Sequence, residues 1–505
     1  MRLTDTQSRI IFGVSSTLSA FLMFWRINKW SFWFDESYTS ALLNTNFSEI
    51  LKLTSLDVHP PLYYFVLYVW SWVFGASDIA LRSMSALFML ASILLLVVLL
   101  KRLVEKRYAY LAASFAALAP FTIRYGQEAR MYAMVSALLL AATYIFVVQL
   151  QRKRRERTAR LWIGYAFIMT LALYTHYFAI LILASHLAYA LFHDTRTKDG
   201  KTWLIRLKNR VSLVDRKFLK SLIIIPVLFA PWTGTLINQF QTVNSGFWIP
   251  PVDYVSIMSV FTTMTIFTEV FEPGATVWIG YVALAVFVCV VVKVAKTAQA
   301  SDLRALWFVL AGILFPLAVL TVLSILPFTT SYLYFRYFAQ FSMFFYAGLT
   351  LVAAFSYKYV SEYVGVALIA VVALLNLYGT QRVLSGTDKI GVDMNVRMER
   401  LNEEYAEGDV IIATSMFQWF NARHYNSTTT PVKYLDTGYQ WGSHAPIYES
   451  DPSILVDQDM LEVNPESGRA WLIESKDSNV AVPDNWSLAS TVDGMESTIN
   501  LYEIN

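Results

Sequence analysis

Long apolar runs separated by short polar or basic joints fill most of the first 380 positions. A bilayer crossing needs roughly 17 to 25 residues of helix. Runs near or within that length fall at about 10–25, 83–100, 108–123, 131–150, 161–175, 177–192, 221–237, 276–294, 305–325, 338–356 and 361–379. These predict eleven spans, some at the short limit. Two more apolar stretches, 62–74 and 254–270, are read instead as interfacial or partly embedded helices, because counting them breaks the charge pattern described next. The run at 10–25 lacks a small-residue cleavage pattern and is expected to be an uncleaved first span.

Basic residues orient the spans. Lys and Arg crowd into 101–107, 152–160, 196–220 and 293–304, which together hold 22 of the chain's 40, whereas the 38 residues from Asn238 to Ala275 hold none. Positively charged connections stay in the cytoplasm, so the basic joints are expected inside and 238–275 outside. The connection from about Arg26 to Arg82 is then also outside, as are 124–132, 174–177, 247–251 and 332–336. These five polar constellations share one face.

After Tyr378 the pattern changes. Residues 381–505 are polar, with expected strands at 408–414 and 469–474 and an expected helix at about 395–405. The reading is therefore an α-helical integral membrane module over 1–380 and a small extracytoplasmic α/β domain over 381–505. Composition agrees: 505 residues that are 56% hydrophobic, 15% aromatic and only 15% charged, with mean hydropathy +0.46, exclude a soluble globular protein. The net charge of +3 carries little information in such a chain, and no nucleic-acid partner is expected. A single cysteine, Cys289, excludes an intramolecular disulfide and is expected to be a buried thiol.

The candidate chemistry sits on the outer connections. Asp35 and Glu36 follow Trp30-Ser-Phe-Trp-Phe, and an acid held against apolar walls is suited to general-base work. The alternative is a solvated acidic pair in an aromatic belt. His59-Pro60-Pro61 fixes the backbone where the loop re-enters the membrane, and His59 suits a phosphate contact, metal ligation beside a carboxylate, or a plain turn. In Arg124 to Tyr132, a helical segment would put Gln127 with Arg130 on one face and Glu128 with Tyr132 on another. Arginine is the preferred donor to phosphate, and an ordinary ion pair is the plainer reading there. His176, in Tyr-Thr-His-Tyr, interrupts an apolar run, and Arg336 stands among aromatic residues where cation–π anchoring and phosphate binding serve equally. His186 reads as a packed helix residue. No P-loop, dinucleotide fingerprint or His-Glu-x-x-His is present, and the outer connections of residues 1–380 carry no Asp-x-Asp signature.

The order of these motifs, Asp35-Glu36, His59-Pro60-Pro61-Leu-Tyr-Tyr, Gly75 with Arg82, Gln127-Glu128-Ala-Arg130-Met-Tyr132 and Tyr-Thr-His176-Tyr, resembles the GT-C superfamily of membrane glycosyltransferases. The likeness is closest to the family 39-like group that includes protein O-mannosyltransferases and the lipid A aminoarabinose transferase. The resemblance spans about 10–380 and implies transfer of a sugar, usually with inversion, from a polyprenyl-phosphate carrier to a glycan, lipid or protein hydroxyl outside the cytoplasm. It implies Asp35 as the base with Glu36 beside it, and Glu128 as a second acid near the acceptor or a metal. Arg82, Arg130 and Arg336 become candidates for the carrier phosphate, with His59, Gln127, Tyr132 and His176 as further substrate contacts. A divalent metal such as Mg or Mn, held by Asp35, Glu128 or His59, remains open at this point. A transporter or flippase of lipid-linked sugars is the alternative. It predicts inverted repeats and mid-membrane charges, neither of which the sequence shows. A sensor with an outer ligand domain would leave Asp35 replaceable.

Overall fold

The computed structural model describes residues 3–192, 214–245, 249–269, 274–326, 330–386, 393–436, 455–457, 468–476, 480–494 and 497–504. In chain order the helices are α1 (Asp5–Phe24), α2 (Phe34–Leu43), α3 (Phe47–Leu56), α4 (Leu62–Phe74), α5 (Asp78–Leu103), α6 (Lys106–Ala117), α7 (Pro120–Gly126), α8 (Tyr132–Gln151), α9 (Ala159–Thr175) and α10 (Ala179–Phe192). They continue with α11 (Arg216–Phe229), α12 (Thr233–Ser245), α13 (Tyr254–Ile266), α14 (Ala275–Thr297), α15 (Ala300–Ile325), α16 (Ser342–Tyr359), α17 (Glu362–Ser385), α18 (Met394–Glu404) and α19 (Met416–Tyr425). Among the described residues, six strands follow or interleave with the last two helices: β1 (Val410–Ala413), β2 (Val432–Asp436), β3 (Leu455–Asp457), β4 (Arg469–Ser475), β5 (Trp486–Asp493) and β6 (Ser497–Ile504).

Among the described residues, seven helical segments are long and apolar enough to cross a membrane: 78–103, 132–151, 216–244, 275–297, 300–325, 335–359 and 362–385. Four of the eleven expected spans are not among these seven. α1 is 20 residues long but carries Ser8, Ser15 and Ser19 on its buried side, which lowers its hydropathy below that of the seven. The run at 108–123 is two helices, because Pro120 has no N–H to continue α6 and opens α7 instead. There Thr122 Oγ1 donates to the Ala116 carbonyl at 2.6 Å. α9 and α10 are apolar but only 17 and 14 residues long, separated by extended backbone at His176. The stretches read as short helices, 62–74 and 254–270, form α4 and α13, each of 13 residues. Most of the basic joint 196–220 and the pair Phe247–Trp248 lie outside the described residues.

The chain divides into two compact units, one formed by 1–25 with 83–385, the other by 26–82 with 386–505. In the first, α1 packs on α6, α8 on α9, α9 on α11, and α16 on both α15 and α17. Close approach is built in: a Cβ at Gly126 would come within 2.7 Å of the Met23 sulfur, so α7 meets α1 only because that side chain is missing. A dense aromatic layer surrounds Phe146, with His186 stacked on it at 4.4 Å and bonded to the Tyr165 hydroxyl at 3.0 Å. His186 is thus a packed helix residue, as read. Cys289, expected to be buried, is exposed on α14. The reason is the solvent: a helix facing lipid turns apolar side chains outward, so an apolar run does not imply burial in protein.

In the second unit the sheet order is β3-β2-β1-β4-β6-β5. Strands β3, β2, β1 and β4 are parallel, while β6 is antiparallel to both β4 and β5. β1 reads Val-Ile-Ile-Ala because a central parallel strand is covered on both faces. The core gathers Ile412, Leu435, Ala470, Leu472, Trp486 and Tyr502. The expected strands and helix in 395–474 are all present, as β1, β4 and α18. A left-handed Gly75 (φ 82°) ends α4 and lets the chain turn into α5.

Candidate active site

The acidic pair opens α2, where carboxylates in the first turn favour the helix. Successive residues of a helix point about 100° apart, so the two acids meet different surroundings. Glu36 is buried at 1% exposure and held by Arg82, itself 1% exposed, through Nε at 2.8 Å and Nη2 at 2.6 Å. The same guanidinium donates from Nη1 to the carbonyls of Ile27 and Trp30, both at 2.8 Å, and from Nη2 to that of Ser31 at 3.1 Å. A guanidinium has five N–H donors, and all five are accounted for. Arg82, expected to hold the carrier phosphate, is committed instead to Glu36 and to the turn that precedes α2. Asp35 is half-buried, and its carbonyl accepts from Thr39 Oγ1 at 2.7 Å.

His59 follows α3 on the same unit. Its Nδ1 lies 3.2 Å from the carboxylate of Asp57, which is 1% exposed. An ionised carboxylate only accepts, so the ring proton sits on Nδ1 and Nε2 faces away from Asp57. Asp57 orients the ring, a role the sequence does not announce.

The remaining expected residues lie in the helical unit. Residues 127–131 are a turn between α7 and α8, so the shared helical faces expected for Gln127 with Arg130 and Glu128 with Tyr132 do not form. Gln127 Nε2 instead donates to the carbonyls of Leu22 at 2.8 Å and Trp25 at 3.3 Å, closing the end of α1. Glu128 pairs with Arg124 at 2.6 Å, and both Glu128 and Arg130 are buried. His176 Nδ1 accepts from the Phe178 backbone N–H at 3.2 Å and faces the Gln340 amide at 3.3 Å, which places its ring proton on Nε2. Its ring lies 5.9 Å from that of Tyr132 and 6.1 Å from that of Tyr337. Arg336 lies over the Tyr334 ring at 5.6 Å, so the cation–π contact of the plainer reading is present.

Tyr125 joins this group without having been singled out by sequence. Its ring packs edge-on to Tyr132 at 5.0 Å. Burial, and then the Glu128 carboxylate, hold its hydroxyl well above the usual tyrosine range, while Arg336 and Arg124 pull the other way. Glu128, Arg124, Arg336 and Tyr125 therefore form one electrostatic cluster in the helical unit. Among the described residues no group of three or more His, Cys, Asp or Glu side chains is suited to hold a metal ion. Of the residues expected as ligands, His59 lies beside Asp57 in the loop unit and Glu128 is paired with Arg124 in the helical unit.

No curated protein sequence matches the chain. Among solved structures, ArnT from Cupriavidus metallidurans in the apo state aligns over 98% of both chains at 14% identity with a TM-score of 0.49. The archaeal oligosaccharyltransferase AglB from Archaeoglobus fulgidus, in complex with an inhibitory peptide and a dolichol-phosphate, aligns over 84% of this chain and 64% of its own at 13% identity, TM-score 0.44. The S. cerevisiae protein O-mannosyltransferase complex bound to the sugar donor aligns over 47% and 35% at 14% identity, TM-score 0.32. The family model of dolichyl-phosphate-mannose-protein mannosyltransferases matches residues 58–211, the stretch that holds His59-Pro60-Pro61, the turn from Gln127 to Tyr132 and His176. In that stretch the chain resembles the dolichyl-phosphate-mannose-protein mannosyltransferases.

Proposed function

We propose that this protein transfers a sugar from a polyprenyl-phosphate carrier to an acceptor hydroxyl, with Asp35 as the general base. One observation carries the reading: the acidic pair is divided. Glu36 is consumed by Arg82 inside the protein, while Asp35, its neighbour on the first turn of α2, is partly exposed. A single displacement needs one carboxylate able to take the acceptor's proton.

The chemistry follows from those parts. The acceptor oxygen gives its proton to Asp35 as it bonds to the anomeric carbon. The bond from that carbon to the carrier's phosphate oxygen breaks with its electron pair, and polyprenyl phosphate leaves with the sugar's configuration inverted. Negative charge builds on the departing phosphate, where a fixed guanidinium stabilises it. By the family resemblance Arg130 and Arg336 serve there, with His59, Tyr132 and His176 as substrate contacts and Glu128 near the acceptor. The acceptor is a glycan, lipid or protein hydroxyl. Charge placement supports an extracytoplasmic reaction, since the basic joints mark the cytoplasmic side.

The test uses purified protein in lipid nanodiscs with tritiated mannosyl-phosphoryl-dolichol, the donor class named by the matching family, and a panel of related polyprenyl-phosphate sugars. Membrane extract supplies acceptors. Release of free polyprenyl phosphate together with acid-stable tritium in the acceptor fraction supports the proposal. Intact donor moving between leaflets of a proteoliposome, without cleavage, supports the transporter instead.

A further inference from the structure

The loop that carries Asp35 is fastened to the C-terminal domain by a half-buried polar network absent from the motifs, of which only Asp78 lies in the stretch the family model matches. Tyr425, the last residue of α19, places its hydroxyl 2.6 Å from the Phe32 backbone N–H and 2.6 Å from Asp78 Oδ2. Beside it, His424 Nε2 lies 2.8 Å from Asp78 Oδ1 and Nδ1 lies 2.9 Å from Ser40 Oγ. The backbone N–H must donate to the tyrosine oxygen, so the tyrosine proton goes to Asp78. Burial first, then the Asp78 charge, push that hydroxyl far above the ordinary tyrosine range, and it keeps its proton. Asp78 only accepts, so the proton on His424 Nε2 also points at it. Nδ1, on the other side of the ring, faces the Ser40 hydroxyl.

The serine, histidine and aspartate have the connectivity of a hydrolytic triad, but the geometry argues otherwise. Ser40 is 5% exposed, in the middle of α2, where no substrate carbonyl reaches it. What the network does hold is α2. Phe32 precedes the helix and Ser40 lies at the end of its second turn, so the two anchored points bracket Asp35. Aromatic contacts fill the space between: Phe34 meets Phe417 at 4.5 Å and Phe420 at 5.6 Å, and Tyr38 meets Phe420 at 5.6 Å. The Phe32 ring is stacked on His424 at 4.5 Å and covered by the Arg82 guanidinium at 4.8 Å.

We infer that Tyr425 and His424 are positioning residues for the transfer reaction, and that the C-terminal domain serves to hold α2 so that the Asp35 carboxylate stays aimed at the acceptor. This rests on Asp35 being the base. Misplacing a reacting group by about 1 Å costs on the order of a hundredfold in rate, so loosening one of two anchors is expected to lower kcat while leaving donor binding intact.

The experiment is a double-mutant cycle between Tyr425→Phe and Asp35→Asn, in full-length protein with the mannosyl-phosphoryl-dolichol probe or whichever panel donor is turned over. Tyr425→Phe is expected to lower kcat about tenfold with KM for the donor within about twofold of wild type. In the Asp35→Asn background the same change is expected to cost nothing more. Hydrogen exchange of the 33–43 peptide is expected to quicken in Tyr425→Phe, which keeps the inference testable if the variant is poorly active for other reasons. His424→Gln, which retains a donor toward Asp78, is expected to keep more kcat than His424→Ala. Wild-type kcat and unchanged exchange in Tyr425→Phe, or the same fold loss with and without Asp35, overturn the positioning claim alone. An Asp35→Asn protein with wild-type kcat overturns the base assignment beneath it.

Discussion

Replacing Glu36 by glutamine keeps the shape of the side chain and removes its charge, and the structure says what that does. The guanidinium of Arg82 stays where it is, 1% exposed, because three backbone carbonyls at 2.8 to 3.1 Å still accept from it. It loses its counter-charge, and one of its two bonds now faces an amide NH2 that cannot accept. Breaking a buried pair from one side costs about 3 to 5 kcal/mol, because a charge is left uncompensated. In a unit of this size, with about 2 to 4 °C of melting temperature per kcal/mol, the loop unit of Glu36→Gln should melt roughly 6 to 20 °C lower. Arg82→Met should be worse, since it also orphans the carbonyls of Ile27, Trp30 and Ser31 at about 1 to 3 kcal/mol apiece where they stay dry. Arg82→Lys should not rescue it, because an ammonium offers three donors where five are used. The assay is differential scanning fluorimetry of the detergent-purified variants, with Asp35→Asn as the control expected to melt within about 2 °C of wild type, its side chain being half-exposed. A Glu36→Gln protein that melts like wild type would refute the reasoning, and so would an Asp35→Asn protein that melts as low as Glu36→Gln.

Arg336→Ala should lower kcat/KM for the carrier-linked donor by about tenfold to a hundredfold, the size of one charge-assisted bond to phosphate of about 1.5 to 3 kcal/mol. A variant that loses stability alone assigns Arg336 to its contact with Tyr334. Gln127→Leu should free the carbonyls that end α1 and destabilise the helical unit by about 1 to 3 kcal/mol, read as a lower denaturation midpoint. In the sheet, burial raises the Glu474 carboxyl above the ordinary glutamate value of 4.5, with the Asn500 amide opposing. The folded state then binds more protons than the unfolded one just above pH 4.5, so this group's contribution to stability falls as pH rises through that window. Glu474→Gln should therefore be more stable than wild type at pH 7, with the gap closing below pH 4.5, as read from melting curves across pH. A gap that widens toward acid pH would refute this sign.

What could be read from the chain, and what could not, follows from range. The apolar runs mark α5, α8 and α14 to α17 because a spanning helix writes its length directly into hydropathy. β1 and β4 are legible as short apolar runs bounded by polar turns. The run at 108–123 misleads because hydropathy does not register that Pro120 cannot donate a hydrogen bond. The acidic pair is legible as a site, but not its division. Glu36 finds its partner 46 residues later, and nothing local separates it from Asp35 except the angle between neighbours on a helix. The anchoring of α2 is further out of reach, since His424 and Asp78 are 346 positions apart. The one available signal was composition: His424 is one of six histidines in the chain, set beside a tyrosine in a helix rich in aromatic residues.

The account stands or falls on Asp35 as the residue that takes the acceptor's proton. The most direct measurement is the single-turnover rate of sugar transfer from a polyprenyl-phosphate donor, by quenched flow, for wild type and Asp35→Asn at equal donor occupancy. General-base catalysis is worth about a hundredfold to ten-thousandfold, so Asp35→Asn should lose that much rate with donor binding unchanged. A rate within twofold of wild type would contradict it.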